Sequence, residues 1–365
     1  MHRFLLLRFR LLGDVILTTP ACRMLRAKYP DAQIDYVVEP PHREVVDGLP
    51  CLDRVHLYDR VQIKRSFTGI EGLRFVRRMR REHYDASIDF HGGPRSGLVT
   101  RAIASRVRVG YTGPHGRLFY NRRISRRVPG ARIHSVLQQM RLLEPFGIGI
   151  PAMVPRLEMA PPPPAALERA RALVESAGAA GFDGLASVHV PPASPFRCWG
   201  TEKIVRVASH VAARGLRPVL LGGRDSLDVG STVIAALGGS ADSLFGETTL
   251  SELHAVIAAS RVFVGVDSGP MHVAATTATP IVAVFGPNVP EVSGPWTDRA
   301  TIVEESLDCR PCNQRRCRHG DFRCFGRVDA ARVVDAVDRW LADPPPPPSS
   351  GIPRDLYARG APGVE

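Results

Sequence analysis

A chain of 365 residues with 44% hydrophobic content has material for two domains, and it holds no apolar run of the ~18 residues that a membrane span requires. Its 48 Lys and Arg against 36 Asp and Glu leave a formal net charge of +12. Composition therefore excludes a disordered or membrane-spanning chain and favours an anionic partner.

The opening Arg3 to Phe9 reads as a strand, and Leu11 to Asp14 as a turn in which Gly13 can supply a left-handed residue. This Leu-rich start is superficially like a secretion signal. Arg8 and Arg10 interrupt it, however, and no small-residue cleavage site follows, so a cytoplasmic protein is expected. Val15 to Tyr29 reads as an amphipathic helix, and Pro20 inside it implies either a distorted first turn or a later start. Strands follow at Ala32 to Val38, Arg54 to Tyr58 and Asp85 to Phe90, separated by helices over about 41–49, 69–83 and 95–105. Strand and helix alternate, which implies a mostly parallel sheet with helices on both faces. The first such domain is assigned to residues 1–155. Asp14, at the carboxyl end of the first strand and the start of the first helix, could take a proton from an acceptor hydroxyl, or could simply cap the helix. His91, followed by Gly92 and Gly93, could donate a hydrogen bond to a substrate approaching the backbone closely; a simple loop histidine is the alternative. Arg122 lies with Arg117, Tyr120 and Asn121 in an irregular segment that could reach an anionic acceptor.

Arginines cluster at Arg77, Arg78, Arg80 and Arg81, at Arg122, Arg123, Arg126 and Arg127, and at Arg315, Arg316 and Arg318. Few aromatic residues interleave with them, which argues against a nucleic-acid partner. General compositional bias is the competing account of each cluster.

Proline-rich Ile148 to Pro164 marks a linker, and a second domain is expected over 165–342. Leu167 to Ala177 reads as a helix and Gly184 to Val190 as a strand. That strand runs into PPASPFRCW, where Ser194 offers a hydroxyl and Arg197 a guanidinium to a phosphate. The strand Arg217 to Leu221 ends in Gly222 and Gly223, a loop that could face a nucleotide but lacks the spacing of a dinucleotide fingerprint or a P-loop. Glu247 could accept from ribose hydroxyls or cap the helix that begins near Leu250. Val262 to Val266 is a buried strand ended by Asp267; Ser268 and Gly269 turn the chain, and Pro270 suits the first position of a helix that includes His272. A helix beginning at a strand's carboxyl end suits a nucleotide diphosphate, with Asp267 left for sugar hydroxyls. Capping by Asp267 and Ser268 is the competing account.

Cys309, Cys312, Cys317 and Cys324 form a C-x2-C-x4-C-x6-C cluster. In a cytosolic protein a tetrahedral zinc site is more credible than two disulfides, but nothing else in the chain asks for a metal, and none is assigned. Val328 to Leu341 closes the fold as an amphipathic helix, and the proline-rich tail over 343–365 is expected to be disordered.

Taken in order, RFRLLGDVILTTPACRMLRAKYPDAQIDYVV, VHVPPASPFRCW, LLGGRD, VGVDSGPMHVAATTATPIVAVFGPN and the late cysteine cluster resemble glycosyltransferase family nine, the heptosyltransferases of lipopolysaccharide inner-core assembly. The resemblance covers nearly the whole chain up to about Leu341. It implies an α/β, GT-B architecture of two Rossmann-like domains facing a central cleft, the acceptor on the first and a nucleotide-sugar donor on the second. By that resemblance Asp14 looks like the catalytic base of an inverting displacement, with Gly13, His91 and Arg122 on the acceptor side. Asp267, Ser268, Gly269, Pro270 and His272 look like the donor-sugar and diphosphate site, completed by Ser194, Arg197, Gly222, Gly223 and Glu247. The family usually shows lysine where Arg197 stands, and P-G-A where this chain reads Pro191, Pro192 and Ala193. The implied donor is ADP-heptose and the implied acceptor an anionic lipid-linked saccharide, with peripheral contact at the inner membrane face. No metal or other cofactor is required by this chemistry. Two readings compete with transfer: a non-catalytic nucleotide-sugar or nucleic-acid binder, and a nucleotide-sugar epimerase on the same fold.

Overall fold

A strand that is apolar at nearly every position is stable only where both of its faces are covered, and short runs such as FLLL and IVAVF meet that condition in parallel sheets. The computed structural model describes residues 1–65, 70–176, 182–342 and 347–357. It divides into two units, Met1–Pro161 with Ser350–Glu365, and Pro162–Ser349.

In the first unit β1 (Arg3–Leu7), β2 (Gln33–Val38), β3 (Arg54–Leu57), β4 (Ala86–Asp89), β5 (Val107–Tyr111) and β6 (Arg122–Ile124) form one parallel sheet in the order β3-β2-β1-β4-β5-β6. A further short strand, β7 (Met153–Pro155), lies in the segment expected to be a linker. The second unit repeats the pattern with β8 (Leu185–His189), β9 (Arg217–Leu221), β10 (Asp242–Ser243), β11 (Ser260–Val266), β12 (Ile281–Phe285) and β13 (Ala300–Glu304), in the order β10-β9-β8-β11-β12-β13. Each sheet reverses its winding once, between β1 and β4 in the first and between β8 and β11 in the second. The loops leaving those two strands diverge, and a crevice opens at their carboxyl ends, where open α/β sheets bind ligands. Helices complete the second core: Ala330–Ala342 lays Val333, Ala336 and Val337 on the sheet, all fully buried. Among the described residues no helix is long and apolar enough to cross a membrane.

Several expectations are corrected. Val15 to Tyr29 is not one helix but two, Leu12–Ile16 and Thr19–Lys28. Pro20 has no N–H to offer a continuing helix, and it sits instead in the first turn of the second one, where none is needed. Gly13 is therefore inside a right-handed helical turn, its carbonyl accepting from Leu17 N at 2.9 Å, and not at a left-handed position. The segment around Arg122 is regular: Gly116–Phe119 is a helical turn, followed by edge strand β6. The helix expected over 167–177 runs Pro164–Ser176, and that over 69–83 runs Ile70–Arg81; residues 69 and 177 lie outside the described residues.

The tail is the largest correction. Gly351–Pro353 forms β14, which pairs antiparallel with β7 and fully buries Ile352. Beyond it the Tyr357 ring stacks on His134 at 5.3 Å. Ile352 and Tyr357 give this proline-flanked stretch enough apolar surface to dock, despite a composition that reads as disorder. Residues 343–346 and 358–365, also in that expected tail, lie outside the described residues.

Candidate active site

At the first switch point, Arg8 leaves β1 almost wholly buried, at 8% exposure. A buried guanidinium must find acceptors. Its Nη1 donates to the Phe90 carbonyl at 2.7 Å, and its Nη2 forms an ion pair with the Asp14 carboxylate. Asp14 lies in the first turn of Leu12–Ile16 but caps nothing, since that helix has no side-chain cap. Its side chain stays 34% exposed, so the carboxylate is oriented and still reachable.

The loop after β4 is built around Asp89, which is fully buried. Its Oδ1 accepts from the backbone N–H of His91 at 2.9 Å and of Gly92 at 3.0 Å, and Tyr120 Oη donates to its Oδ2 at 2.6 Å. Gly92 has φ +66°, and a Cβ there would lie 2.7 Å from the Tyr111 ring and 2.8 Å from the Arg126 guanidinium. Glycine is thus required by the protein's own packing. Arg126 lies 4.0 Å over the Tyr111 ring and donates to the His91 carbonyl at 2.9 Å. The His91 imidazole is half-buried, and burial, followed by the nearby Arg8 charge, lowers its pKa. Its Nδ1 is buried with no hydrogen-bond partner among the described residues. Arg8 links the two sequence-predicted groups, holding Asp14 with one nitrogen and the residue before His91 with another. Arg122 is not brought to this place: it lies on β6, separated from β4 by β5, with its guanidinium on the Asn121 carbonyl.

At the second switch point, Asp267 follows β11. Its Oδ2 accepts from Asn288 Nδ2 at 2.5 Å and Ser293 Oγ at 3.3 Å. Ser268 occupies the cap position of Gly269–Ala274 without a side-chain cap; its hydroxyl donates to the Val266 carbonyl at 3.0 Å and meets His189 Nδ1 at 3.3 Å. Ser268 therefore does not cap that helix through its side chain. Pro270 is the second helical residue, after Gly269, and His272 is 5% exposed. A hydroxyl has one proton, so with Ser268 donating to Val266 the His189 Nδ1 is the donor in their contact. Burial lowers the His189 pKa to about 4, leaving the ring neutral at pH 7.

The remaining residues follow neighbouring strands on the same carboxyl edge. Ser194 closes a turn after β8, its carbonyl accepting from Arg197 N at 2.9 Å. The Arg197 side chain is exposed and makes no ion pair among the described residues. Gly222, after β9, lies where a Cβ would come within 2.8 Å of the Val190 carbonyl, and Gly223 precedes the single turn Arg224–Ser226. Glu247 is exposed and is not a cap, because Thr249 and Glu252 form a reciprocal capping box on the helix Leu250–Ala258.

Sequence reasoning missed Arg8, Asp89, His189, Asn288 and Ser293. It also missed Lys203, whose Nζ donates to the carbonyls of Phe325, Gly326 and Val328 at 2.8–2.9 Å. Only Arg8 left a signal, as a charge at the end of an apolar strand. One group of potential metal ligands converges among the described residues: Asp308, Cys309 and His319, with donor atoms within 4.8 Å of one another.

Residues 72–322 match the family model described as glycosyltransferase family 9 (heptosyltransferase). The chain is 27% identical over 335 residues to lipopolysaccharide heptosyltransferase 3 of Escherichia coli, covering 90% of this chain and 96% of that one. It is 24% identical over 373 residues to lipopolysaccharide heptosyltransferase 1 of Pseudomonas aeruginosa, covering 94% and 99%. Among solved structures it resembles a family 9 glycosyl transferase from Veillonella parvula, with TM-score 0.84, 23% identity and coverage of 93% and 97%. It also resembles ADP-heptose LPS heptosyltransferase II of E. coli, with TM-score 0.74, 20% identity and coverage of 94% and 99%.

Proposed function

The chain belongs to glycosyltransferase family 9, and we propose that it moves a heptose or related sugar from an ADP-sugar to a lipopolysaccharide core or similar anionic glycolipid, with inversion and without a metal at the diphosphate. Its fold is GT-B, two units each with the 3-2-1-4-5-6 strand order. The reading is carried by one observation: each unit presents a carboxylate at its switch point that is held by polar side chains of its own unit, Asp14 by Arg8 and Asp267 by Asn288 and Ser293.

In the proposed reaction Asp14 takes the proton of an acceptor hydroxyl as that oxygen attacks the anomeric carbon. The bond from that carbon to the diphosphate breaks, and its electron pair leaves on the ADP. A base positioned in this way contributes about 10²–10⁴-fold to rate. The charge developing on the leaving group is met by Arg197 and the Ser194 hydroxyl, while Asp267 accepts from hydroxyls of the donor sugar and His272 and the Gly269–Pro270 turn shape its site. Gly222, Gly223 and Glu247 border the nucleoside. On the first unit His91 and Gly13 lie toward the acceptor. The helix Ile70–Arg81 buries Phe75 and Met79 and exposes Arg77, Arg78, Arg80 and Arg81. That basic face suits peripheral contact with an anionic membrane carrying the acceptor.

Calorimetric titration with ADP, UDP and GDP tests the donor half. Selective ADP binding by wild type and its loss in Asp267→Ala are expected. Folded wild-type protein that binds none of the three nucleotides refutes the donor site.

A further inference from the structure

A carboxylate offers its partners nothing but acceptors, so whatever holds Asp267 must donate. Ser293 does so with its hydroxyl at 3.3 Å and Asn288 with its amide nitrogen at 2.5 Å, both on Oδ2. A hydroxyl rotates to suit its acceptor. The Asn288 amide has a direction, and since its oxygen and nitrogen ends are almost the same size, hydrogen bonding and not packing must set it. Turned over, Asn288 would place its own oxygen against the Asp267 carboxylate. A donor on the far side settles the matter: Gln314 Nε2 gives a hydrogen bond to Asn288 Oδ1 at 3.0 Å. Reversal would then oppose two acceptors at Asp267 and two donors at Gln314.

Gln314 reaches this place at a conformational cost. Its φ is +57°, in the left-handed region, which glutamine enters rarely and glycine readily. The residue is half-buried, and its own N–H lies 3.4 Å from Cys312 Sγ. Strain of this kind persists where the surroundings over-determine it, and it gathers at ligand sites. The backbone beneath Asn288 is held by other groups. Arg310, 8% exposed, donates to the Asn288 carbonyl and pairs with Glu304 at 2.8 Å, and Cys312 N donates to the Pro287 carbonyl at 2.9 Å. Main chain and side chain at Asn288 thus have separate supports, and Gln314 serves the side chain.

We propose that Gln314 is a positioning residue of the donor site: its amide fixes the polarity of Asn288, and Asn288 in turn holds the Asp267 carboxylate in the orientation that receives hydroxyls of the nucleotide sugar. This role rests on the donor reading given above. Gln314 itself touches no substrate; it acts through the two side chains that follow it. The relay works by hydrogen-bond polarity and not by bulk. A side chain at 314 that fills the same space without donating lets Asn288 reverse, and one that accepts pulls it over, turning the carbonyl oxygen of Asn288 onto Asp267.

The test uses full-length protein and ADP as the probe, titrated by calorimetry, with urea unfolding measured alongside. Gln314→Met keeps the length of the side chain and removes the donor. It should weaken ADP binding about three- to tenfold, the range of one net hydrogen bond, and leave the unfolding transition in place because Arg310 and Cys312 still hold the backbone. Gln314→Glu should bind more weakly still at about pH 8, where its carboxylate faces Asn288 Oδ1, and should recover toward wild type as pH falls to about 5.5, because the protonated acid donates. In an Asn288→Ala background Gln314→Met should cost nothing further. A Gln314→Met loss that persists undiminished in that background overturns the positioning role, as does a Gln314→Glu deficit that does not shrink on acidification. Asp267→Ala separates the two readings. If it loses ADP while Gln314→Met binds as wild type does, the positioning role alone falls. If it binds ADP like wild type, the donor reading fails and takes the positioning role with it.

Discussion

Acidification should destabilise the second unit through His189. This ring ends β8, touches Ser268 through Nδ1, and lines a small apolar cavity with Trp199, Ile204 and Val207. A second proton would put a charge among groups unable to solvate it, and burial accordingly lowers the pKa from 6.5 to about 4. The sign follows from proton uptake. Below pH 6.5 the unfolded chain binds a proton that the folded chain refuses, so stability falls as pH drops and the loss is nearly complete at pH 4. A difference of about 2.5 pH units corresponds to about 3 kcal/mol. All three tryptophans, Trp199, Trp296 and Trp340, lie in the second unit, so tryptophan fluorescence in urea reports its unfolding selectively. His189→Asn keeps a donor for Ser268 and removes the titration. Wild type should lose about 2–3 kcal/mol more than this variant between pH 7 and 4.5; other acidic and histidine groups contribute equally to both and cancel. Parallel losses in the two proteins would refute the reasoning.

Three further outcomes are expected. Asp14→Asn should lower turnover by about 10²–10⁴-fold and leave ADP affinity unchanged, read by transfer assay and calorimetry together; undiminished turnover removes Asp14 as the base. Lys203→Met leaves three carbonyls without their shared cation and should lower the urea stability of the second unit by about 2–3 kcal/mol, so an unchanged tryptophan transition would show that the carbonyls find other donors. Truncation after Ser349 removes β14 and the Tyr357 contact. It should speed proteolysis within residues 1–161 and leave the tryptophan transition in place; equal resistance of the two forms would make the strand dispensable.

The alternation of apolar runs and amphipathic helices made both parallel sheets legible, because each strand and helix announces itself within ten residues or so. The same locality exposed Asp14 and Asp267, each a carboxylate between a strand and a helix. What orients them was not legible. Asn288 reaches Asp267 across 21 positions, His189 reaches Ser268 across 79, and Lys203 reaches Val328 across 125. No periodicity marks a single polar residue whose partner is supplied by folding. The tail misled for the opposite reason: its composition is local and strong, but a two-strand pairing needs only backbone groups and one buried side chain, Ile352.

These long-range contacts also explain how the second switch point keeps its shape. Asp267, Ser268 and Arg197 sit on short turns, which by themselves do not hold a side chain to a fraction of an ångström. Rigidity must come from elements packed behind them. Two strands supply part of it, through His189 on β8 and the Val266 carbonyl on β11. The rest comes from one stretch late in the chain. Arg310 and Gln314 brace Asn288, Phe322 backs Phe196, and the carbonyls of Phe325, Gly326 and Val328 receive Lys203, with Val328 also accepting from Trp199 Nε1 at 3.2 Å. That stretch contains no strand, and its only helix is the single turn Arg323–Gly326. A segment with so little regular backbone pairing is held in place by these side-chain contacts, so their loss should loosen the turns they back.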